Sequence, residues 1–306
     1  MIRKVGILGG SGFVGRHIIQ ELLSNGYKVK AINRTKIKDI DNDSFSQVSI
    51  DLFSDSIYSH FEGLDCVIYN IGIIREFPYE EGINYKNLHE NLTSHIICMA
   101  EKAEVQRFLL MSANGVERQL TNYEKTKFNA EQKLIKSKLH WTIFRPSLIF
   151  GNPNGRVEFC TQLKRDIINR PFPIPFFFNS FNIMNAGLFK MSPIHVKNVS
   201  QFFVKSILKE SSINQVYELG GSQHLTWKEM IGIISKACNK RKYFMPVPIL
   251  FIKLFAFFFD SWRWFPITRD QLTMLMSGNV CDSKKYFEDF DIDEISFSLE
   301  NLNYLS

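Results

Sequence analysis

The chain has 306 residues, 37 Lys and Arg against 31 Asp and Glu, and 45% hydrophobic residues, a composition that excludes a disordered or fibrous chain. A formal charge of +6 is too mild to mark a nucleic-acid binder, and no such partner is expected. Five scattered cysteines without a C-x-x-C pair, and histidines without H-x-x-H or H-E-x-x-H spacing, argue against a disulfide framework or a metal site and favour a reducing, cytoplasmic compartment.

In chain order, Val5 to Leu8 reads as a buried strand, Gly9 to Gly15 as a glycine-rich turn, and His17 to Leu23 as an amphipathic helix. The turn is Gly9-Gly10-Ser11-Gly12-Phe13-Val14-Gly15, a G-x-x-G-x-x-G between strand and helix. Glycines there let the backbone approach a pyrophosphate, and the helix N-terminus offers free N–H groups, so a dinucleotide is the expected ligand. Val29 to Ile32 is the second strand, followed by Asn33-Arg34-Thr35-Lys36 with no carboxylate for a ribose 2′-hydroxyl. Arg34, assisted by Lys36 or Arg3, suits a 2′-phosphate, so NADP(H) is expected over NAD(H).

Gln47 to Asp51 reads as a third strand, with Asp51-Leu52 reaching the adenine or Asp51 serving only as a turn residue. Cys66 to Tyr69 is a fourth strand, ending in Asn70-Ile71-Gly72 beneath the ribose and pyrophosphate. A helix over Asn91 to Ala103 and a fifth strand from Arg107 to Met111 follow. Ser112 ends that strand, and Tyr123 and Lys127 stand four apart on a helix running to about Ser137. This trio suits hydride transfer: the lysine lowers the tyrosine pKa, the phenol exchanges a proton with a substrate oxygen, and the serine orients that oxygen. The alternative is a helix face whose lysine only touches cofactor ribose. Trp141 to Arg145 is a sixth strand. Strands alternating with helices imply an α/β Rossmann-type, doubly wound parallel sheet.

The expected organisation is a nucleotide-binding domain over residues 1–150. Residues 151–306 form a smaller substrate or partner lobe, interleaved with strands returning to the core sheet. Pro171 to Phe178 cannot be regular helix. Ser192 to Val196 and Tyr217 to Gly220 read as strands, and Asn198 to Leu208 and Thr226 to Cys238 as helices. Phenylalanine is frequent, 28 of 306 residues, with dense runs at 172–181 and 251–265. Residues 246–266 are apolar nearly all round, with Trp262 and Trp264 beside Arg263. They suit a buried helix, a docking surface for a membrane protein complex, or an interfacial anchor on a membrane surface. The last two would make the protein peripheral on the inner membrane. The eleven residues from Ile249 to Phe259 cannot cross a bilayer alone.

The segments GGSGFVGRHI, DCVIYNIGIIRE, MSANGVE, YEKTKFNAEQ, TIFRPSLIFG, MSPIHVKNVS, YELGGSQHLTWKEM and ITRDQLTMLMSGNV together resemble the short-chain dehydrogenase/reductase superfamily in its extended and atypical branches. The likeness is strongest to the branch holding the NADPH-binding accessory subunit of respiratory complex I and its bacterial relatives. It implies a cofactor enclosed by Gly9, Ser11, Gly12, Phe13, Val14, Gly15, Arg34, Asp51, Leu52, Asn70, Ile71, Gly72, His89, Met111, Tyr123, Lys127 and Pro146-Ser147-Leu148-Ile149, with Ser112 and His195 on the substrate side. It also implies one of three activities. The first is an NADP(H)-dependent oxidoreductase of a small apolar carbonyl, quinone-like or isoprenoid substrate. The second is a non-catalytic NADPH-binding accessory or assembly protein of a respiratory membrane assembly. The third is a nucleotide-sugar epimerase or dehydratase.

Overall fold

Seven short strands pair into one parallel sheet. The computed structural model describes residues 3–77, 79–178, 182–259, 262 and 267–306. In order come β1 (Lys4–Leu8), α1 (Phe13–Ser24), β2 (Lys28–Asn33), β3 (Phe45–Ser49), β4 (Cys66–Tyr69), α2 (Leu92–Lys102) and β5 (Arg107–Met111). Then follow α3 (Asn122–Ile135), β6 (His140–Pro146), β7 (Ile149–Phe150), α4 (Phe159–Leu163), β8 (Ile174–Phe178), β9 (Lys190–Met191), β10 (Ile194–His195) and α5 (Val196–Ser206). The chain closes with β11 (Gln215–Leu219), β12 (Leu225–Thr226), α6 (Trp227–Ala237), β13 (Phe244–Pro248), α7 (Ile249–Phe259), α8 (Arg269–Met276) and α9 (Lys284–Asp289).

The sheet order is β11-β6-β5-β4-β1-β2-β3, with every pairing parallel. The order reverses between β1 and β4, which opens a crevice at their carboxyl ends where α/β sheets take ligands. β11 returns from the second half of the chain to pair with β6, Tyr217 opposite Phe144. The central strands β1, β4 and β5 are buried on both faces, which explains why they carry no polar alternation, whereas the edge strands β3 and β11 stay partly exposed. One apolar layer, with Ile18, Ile19 and Leu22 of α1 and Phe202 and Phe203 of α5, covers one face. Leu92, Ile96 and Ile97 of α2 and Leu134 of α3 cover the other.

The third strand is displaced from its expected place. It runs over Phe45–Ser49 rather than Gln47 to Asp51, because Phe45 pairs with Val29 and Ser49 with Asn33. The helix expected from Asn91 begins earlier, as a π-helical turn over Lys86–Asn91 that leads into α2. A third cluster, with Phe150, Trp227, Met230 and Phe297, forms the core of the smaller lobe. There the proline- and phenylalanine-rich stretch forms β8, parallel to β13. Among the described residues no helix is long and apolar enough to cross a membrane. Phe181, Arg263, Trp264, Phe265 and Pro266 of the expected aromatic segments lie outside the described residues.

Candidate functional site

The glycine motif sits at the reversal point of the sheet. Gly9 follows β1 with φ +81°, and a Cβ there would lie 2.4 Å from the Asn70 carbonyl oxygen. A Cβ on Gly15 would lie 2.2 Å from the Gly9 carbonyl oxygen, so the first turn of α1 packs on the loop backbone. The Gly12 N–H donates to Gly9 O at 3.2 Å, closing the turn. Gly12 caps α1 without a side-chain hydrogen bond, and no acidic residue stands in the first turn. The N–H groups there are left for an anion. Asn70 Nδ2 donates to Gly9 O at 3.4 Å, tying the ends of β4 and β1 together.

At the end of β2, Asn33 is 3% exposed, and neither of its amide atoms has a hydrogen-bond partner among the described residues. An orphaned amide at this strand end fits a hydroxyl or phosphate oxygen of an adenosine ribose, since a buried amide left unmade costs about 1–3 kcal/mol. Arg34, Thr35 and Lys36 are exposed just beyond it. Two side chains of β3 hold this loop. Ser49 Oγ donates to Arg34 O at 2.7 Å. The Gln47 amide brackets Ile37, accepting its N–H at 2.7 Å and donating to its carbonyl at 2.9 Å. Neither Asn33 nor Gln47 was marked by spacing. The only sequence signal was an amide where the motif usually has an acid.

One expectation changes here. Arg3 precedes β1 and its carbonyl accepts from Lys28 N at 2.8 Å, at the amino ends of the strands. It therefore stands a full strand, roughly 17 Å at 3.3 Å per residue, from the loop it was expected to assist. Asp51 lies past the displaced β3 and bends back on its own turn, Oδ1 accepting from Phe53 N at 3.1 Å. Leu52 beside it is buried.

The opposite half of the crevice is built by α3. Thr121 and Glu124 form a reciprocal cap, Thr121 Oγ1 accepting from Glu124 N and Glu124 Oε2 from Thr121 N, both at 3.1 Å. That fixes the helix start and presents Tyr123 and Lys127 on one face. Lys127 is buried. Its Nζ donates to Met111 O at 3.1 Å and Ile71 O at 3.4 Å, bridging the ends of β5 and β4. Gly72 leaves room for it, since a Cβ there would lie 3.0 Å from Nζ. Burial lowers the Lys127 pKa to about 8, with Glu131 opposing.

His89, delivered by the π-helical turn, accepts the Ile73 N–H on Nε2 at 3.1 Å. Its Nδ1 therefore carries the proton and donates to Thr126 Oγ1 at 3.2 Å. Its ring meets Tyr123 edge-on at 5.2 Å and stacks on Tyr85 at 5.3 Å. Burial, then Lys127, drives its pKa down to about 2, so the imidazole is neutral across the physiological range.

This has a measurable consequence. Because the folded pKa lies below the unfolded value, the unfolded chain takes up the proton first as pH falls through 6.5, and stability drops. Between pH 7 and 5 the loss from His89 is about 2 kcal/mol at 1.36 kcal/mol per unit. Urea midpoints at the two pH values should differ by less in His89→Gln than in the wild type. An equal difference would contradict neutral burial.

The Tyr123 phenol departs from expectation. Burial, then the neighbouring Glu124 carboxylate, raises its pKa to about 12. Lys127 is not among the groups that shift it. Ser112, expected beside the phenol, is buried at the end of β5, and its Oγ has no partner among the described residues. Pro146 ends β6, and Ser147 and Leu148 follow it. Ser147 N donates to Leu219 O at 2.7 Å and its Oγ to Asn279 O at 2.8 Å, so the second half of the chain latches this segment. Ile149 pairs with Ile194.

A cavity of about 500 Å³ opens between the crevice and the smaller lobe. Tyr123, Ala113, Asn114, Pro146, Ser147 and Leu148 line it on the sheet side. Phe159, Phe172, Phe177, Trp227, Ile252 and Leu275 line it on the lobe side. His195 is not among its lining residues. Its Nδ1 caps α5 by accepting Lys197 N at 3.2 Å, and its ring packs edge-on against Phe150 at 5.1 Å. Burial, then the positive charge of neighbouring His17 and Lys197, lowers its pKa to about 4.

A family model described as NAD(P)H-binding matches residues 9–168. The chain is 25% identical over 270 residues to a chloroplastic divinyl chlorophyllide a 8-vinyl-reductase of Arabidopsis thaliana, covering 79% of this chain but only 59% of that relative. It is 22% identical over 278 residues to the photosystem II assembly factor Ycf39 of Trieres chinensis, covering 90% of this chain and 81% of the relative. Among solved structures, MoeE5 in complex with UDP-glucuronic acid and NAD superposes with a TM-score of 0.76 at 16% identity. That superposition covers 98% of this chain and 96% of the other, a likeness of fold.

Proposed function

This chain belongs to the NAD(P)H-binding family, on a fold of the short-chain dehydrogenase/reductase type, and from that premise we propose that it is an NADP(H)-dependent oxidoreductase of an apolar substrate. The observation that carries the reading is Tyr123 in the wall of the apolar cavity, on the same helix face as the buried Lys127. The dinucleotide would lie along Gly9, Ser11, Gly12, Phe13, Val14 and Gly15, with its adenosine at Asn33 and Arg34. Its nicotinamide ribose would lie over Lys127, between Asn70-Ile71-Gly72 and Met111. Bound there, the cofactor supplies a hydride.

Each protein group then has one task. A phenol with a pKa of about 12 keeps its proton at neutral pH, so Tyr123 acts as a proton donor to the substrate oxygen, which favours the reductive direction. Lys127 holds the ribose hydroxyls. Ser112, buried without a partner of its own, orients the substrate oxygen. Aromatic and aliphatic side chains make up most of the cavity wall, beside Arg118 and Arg170, and Arg118 is already engaged by Glu124 and by the Ser277 and Gly278 carbonyls. The apolar share of the wall supports a carbonyl, quinone-like or isoprenoid compound.

The exposed guanidinium of Arg34, on a backbone held by Ser49, supports NADP(H) over NAD(H). Arg34→Ala should weaken NADPH binding by about 1.5–3 kcal/mol, the worth of a charge-assisted contact, and leave NADH within a factor of about two. Titration with each nucleotide separates the cases, and equal losses would sink the 2′-phosphate role.

A second reading is favoured by the apolar side chains exposed on α7: an NADPH-binding accessory or assembly protein, cytoplasmic and peripheral on a membrane assembly. Identifying the nucleotide released on denaturation and offering quinones and carbonyl compounds decides between them. Stoichiometric NADPH that no such acceptor oxidises would favour the accessory role.

A further inference from the structure

Helix α7 is inside out. A surface helix of a water-soluble lobe turns its apolar stripe inward, and α7 does the reverse. It buries Ile249 and Ala256, with Ile252 packed beside Phe177 and Leu272. Leu250, Phe251, Leu254, Phe255, Phe257 and Phe258 are all exposed, Leu250 at 73% and Phe258 at 63%. At 100° per residue these six span an outward arc of roughly 160°, with the exposed Lys253 at its edge. Trp262, 56% exposed, follows the helix, and its carbonyl accepts from Arg75 Nη2 at 2.8 Å. Tyr243, Phe244 and Met245 extend the apolar surface ahead of the helix. An apolar area of this size does not stay in water without an occupant.

Two observations name the occupant. The first is charge. Lys240 and Arg241 are exposed just before the aromatic stretch, and Lys253 flanks the arc. Cations bordering an aromatic face match an anionic headgroup layer over acyl chains. The second is continuity with the cavity, whose lining includes Ile252 of α7 and Phe172, the latter 70% exposed. The cavity thus touches the covered side of the helix and reaches the outside past Phe172 and Pro173, beside the exposed Arg170.

We propose that α7 is an interfacial anchor that lies in the surface of an anionic lipid bilayer with Leu250, Phe251, Leu254, Phe255 and Phe258 among the acyl chains. A helix of eleven residues is about 16 Å long, so it lies along the surface and does not span the roughly 30 Å hydrocarbon core. The proposal deepens the apolar-substrate reading and rests on it only through the continuity of the cavity.

The experiment is sedimentation of the full chain with vesicles of phosphatidylcholine, with and without phosphatidylglycerol, and with no turnover measured. The wild type should sediment with both and more with the anionic vesicles. Phe255→Glu/Phe258→Glu should lose at least about tenfold in partitioning on both, while its thermal midpoint stays within a few degrees. Lys240→Glu/Arg241→Glu should lose about tenfold on the anionic vesicles alone. A wild type that stays in the supernatant overturns the anchor. So does one that runs as an oligomer dissolved by the Phe→Glu pair, since a second copy would then cover the helix. Failure to reduce any apolar substrate would remove the reductase and leave vesicle binding as it was measured.

Discussion

Gly15→Ala should release the dinucleotide. The added methyl would sit 2.2 Å from the Gly9 carbonyl oxygen and 2.7 Å from Gly10 Cα. Both are backbone atoms, so no side chain can rotate away. Either α1 lifts from the sheet or the loop opens, and in both cases the N–H groups of the first turn leave the position where a pyrophosphate would meet them. Two charge-assisted hydrogen bonds at about 1.5–3 kcal/mol each correspond to a loss of more than 100-fold in NADPH affinity, with about 1–3 kcal/mol of overpacking in the stability of the apo chain. Gly232→Ala is the control of opposite sign. Gly232 lies inside α6 with nothing within 4 Å of an added Cβ, so alanine there should stabilise by about 0.5–1 kcal/mol and leave NADPH untouched. Fluorescence titration and thermal melts read both variants. A Gly15→Ala protein that binds NADPH like the wild type would show that the loop does not hold the pyrophosphate.

Tyr123→Phe should remove turnover and spare the cofactor. The phenol borders the cavity, and its ring position depends on His89 at 5.2 Å and Tyr85 at 5.6 Å, contacts that phenylalanine keeps. The variant loses only the hydroxyl, so NADPH affinity should stay within a factor of about two, while reduction of an apolar carbonyl falls by about 10²–10⁴, the range of a lost general acid. Single-turnover oxidation of bound NADPH is the measurement. Full activity in the phenylalanine variant would assign the proton to another group, and full biological function without activity would favour the accessory role.

The parts of this site legible in the sequence are the ones whose geometry is local. G-x-x-G-x-x-G between a strand and a helix, and tyrosine and lysine four apart, are separations that one turn and one helix convert directly into positions. The absent acid after β2 was legible for the same reason. What escaped needs partners far along the chain. Gln47 matters because β3 pairs with β2 and brings its amide to Ile37. Ser147 is held by Asn279, 132 residues away. The register of β3 was misplaced by two residues because apolar alternation alone does not choose between neighbouring frames, whereas pairing with β2 does.

Charge states escaped in the same way. A lysine four residues from a tyrosine suggests a lowered phenol pKa, yet the phenol lies buried beside the Glu124 carboxylate. Burial then pushes the phenol to about 12. His195 was expected near the substrate and is instead a helix cap packed on Phe150, because the pairing of β10 with β7 draws it toward Gly151.

The sequence by itself determined the parallel α/β fold and the dinucleotide loop, since strand–helix alternation and glycine spacing act through contacts between neighbours in the chain. It also located the concentration of phenylalanines, but could not say which way they face. Only the tertiary structure decided that Phe176 and Phe177 are buried while Phe251, Phe255 and Phe258 stand outward. Outward or inward is a property of what packs against a helix, and for α7 it follows from the single narrow face that β13 and α8 cover.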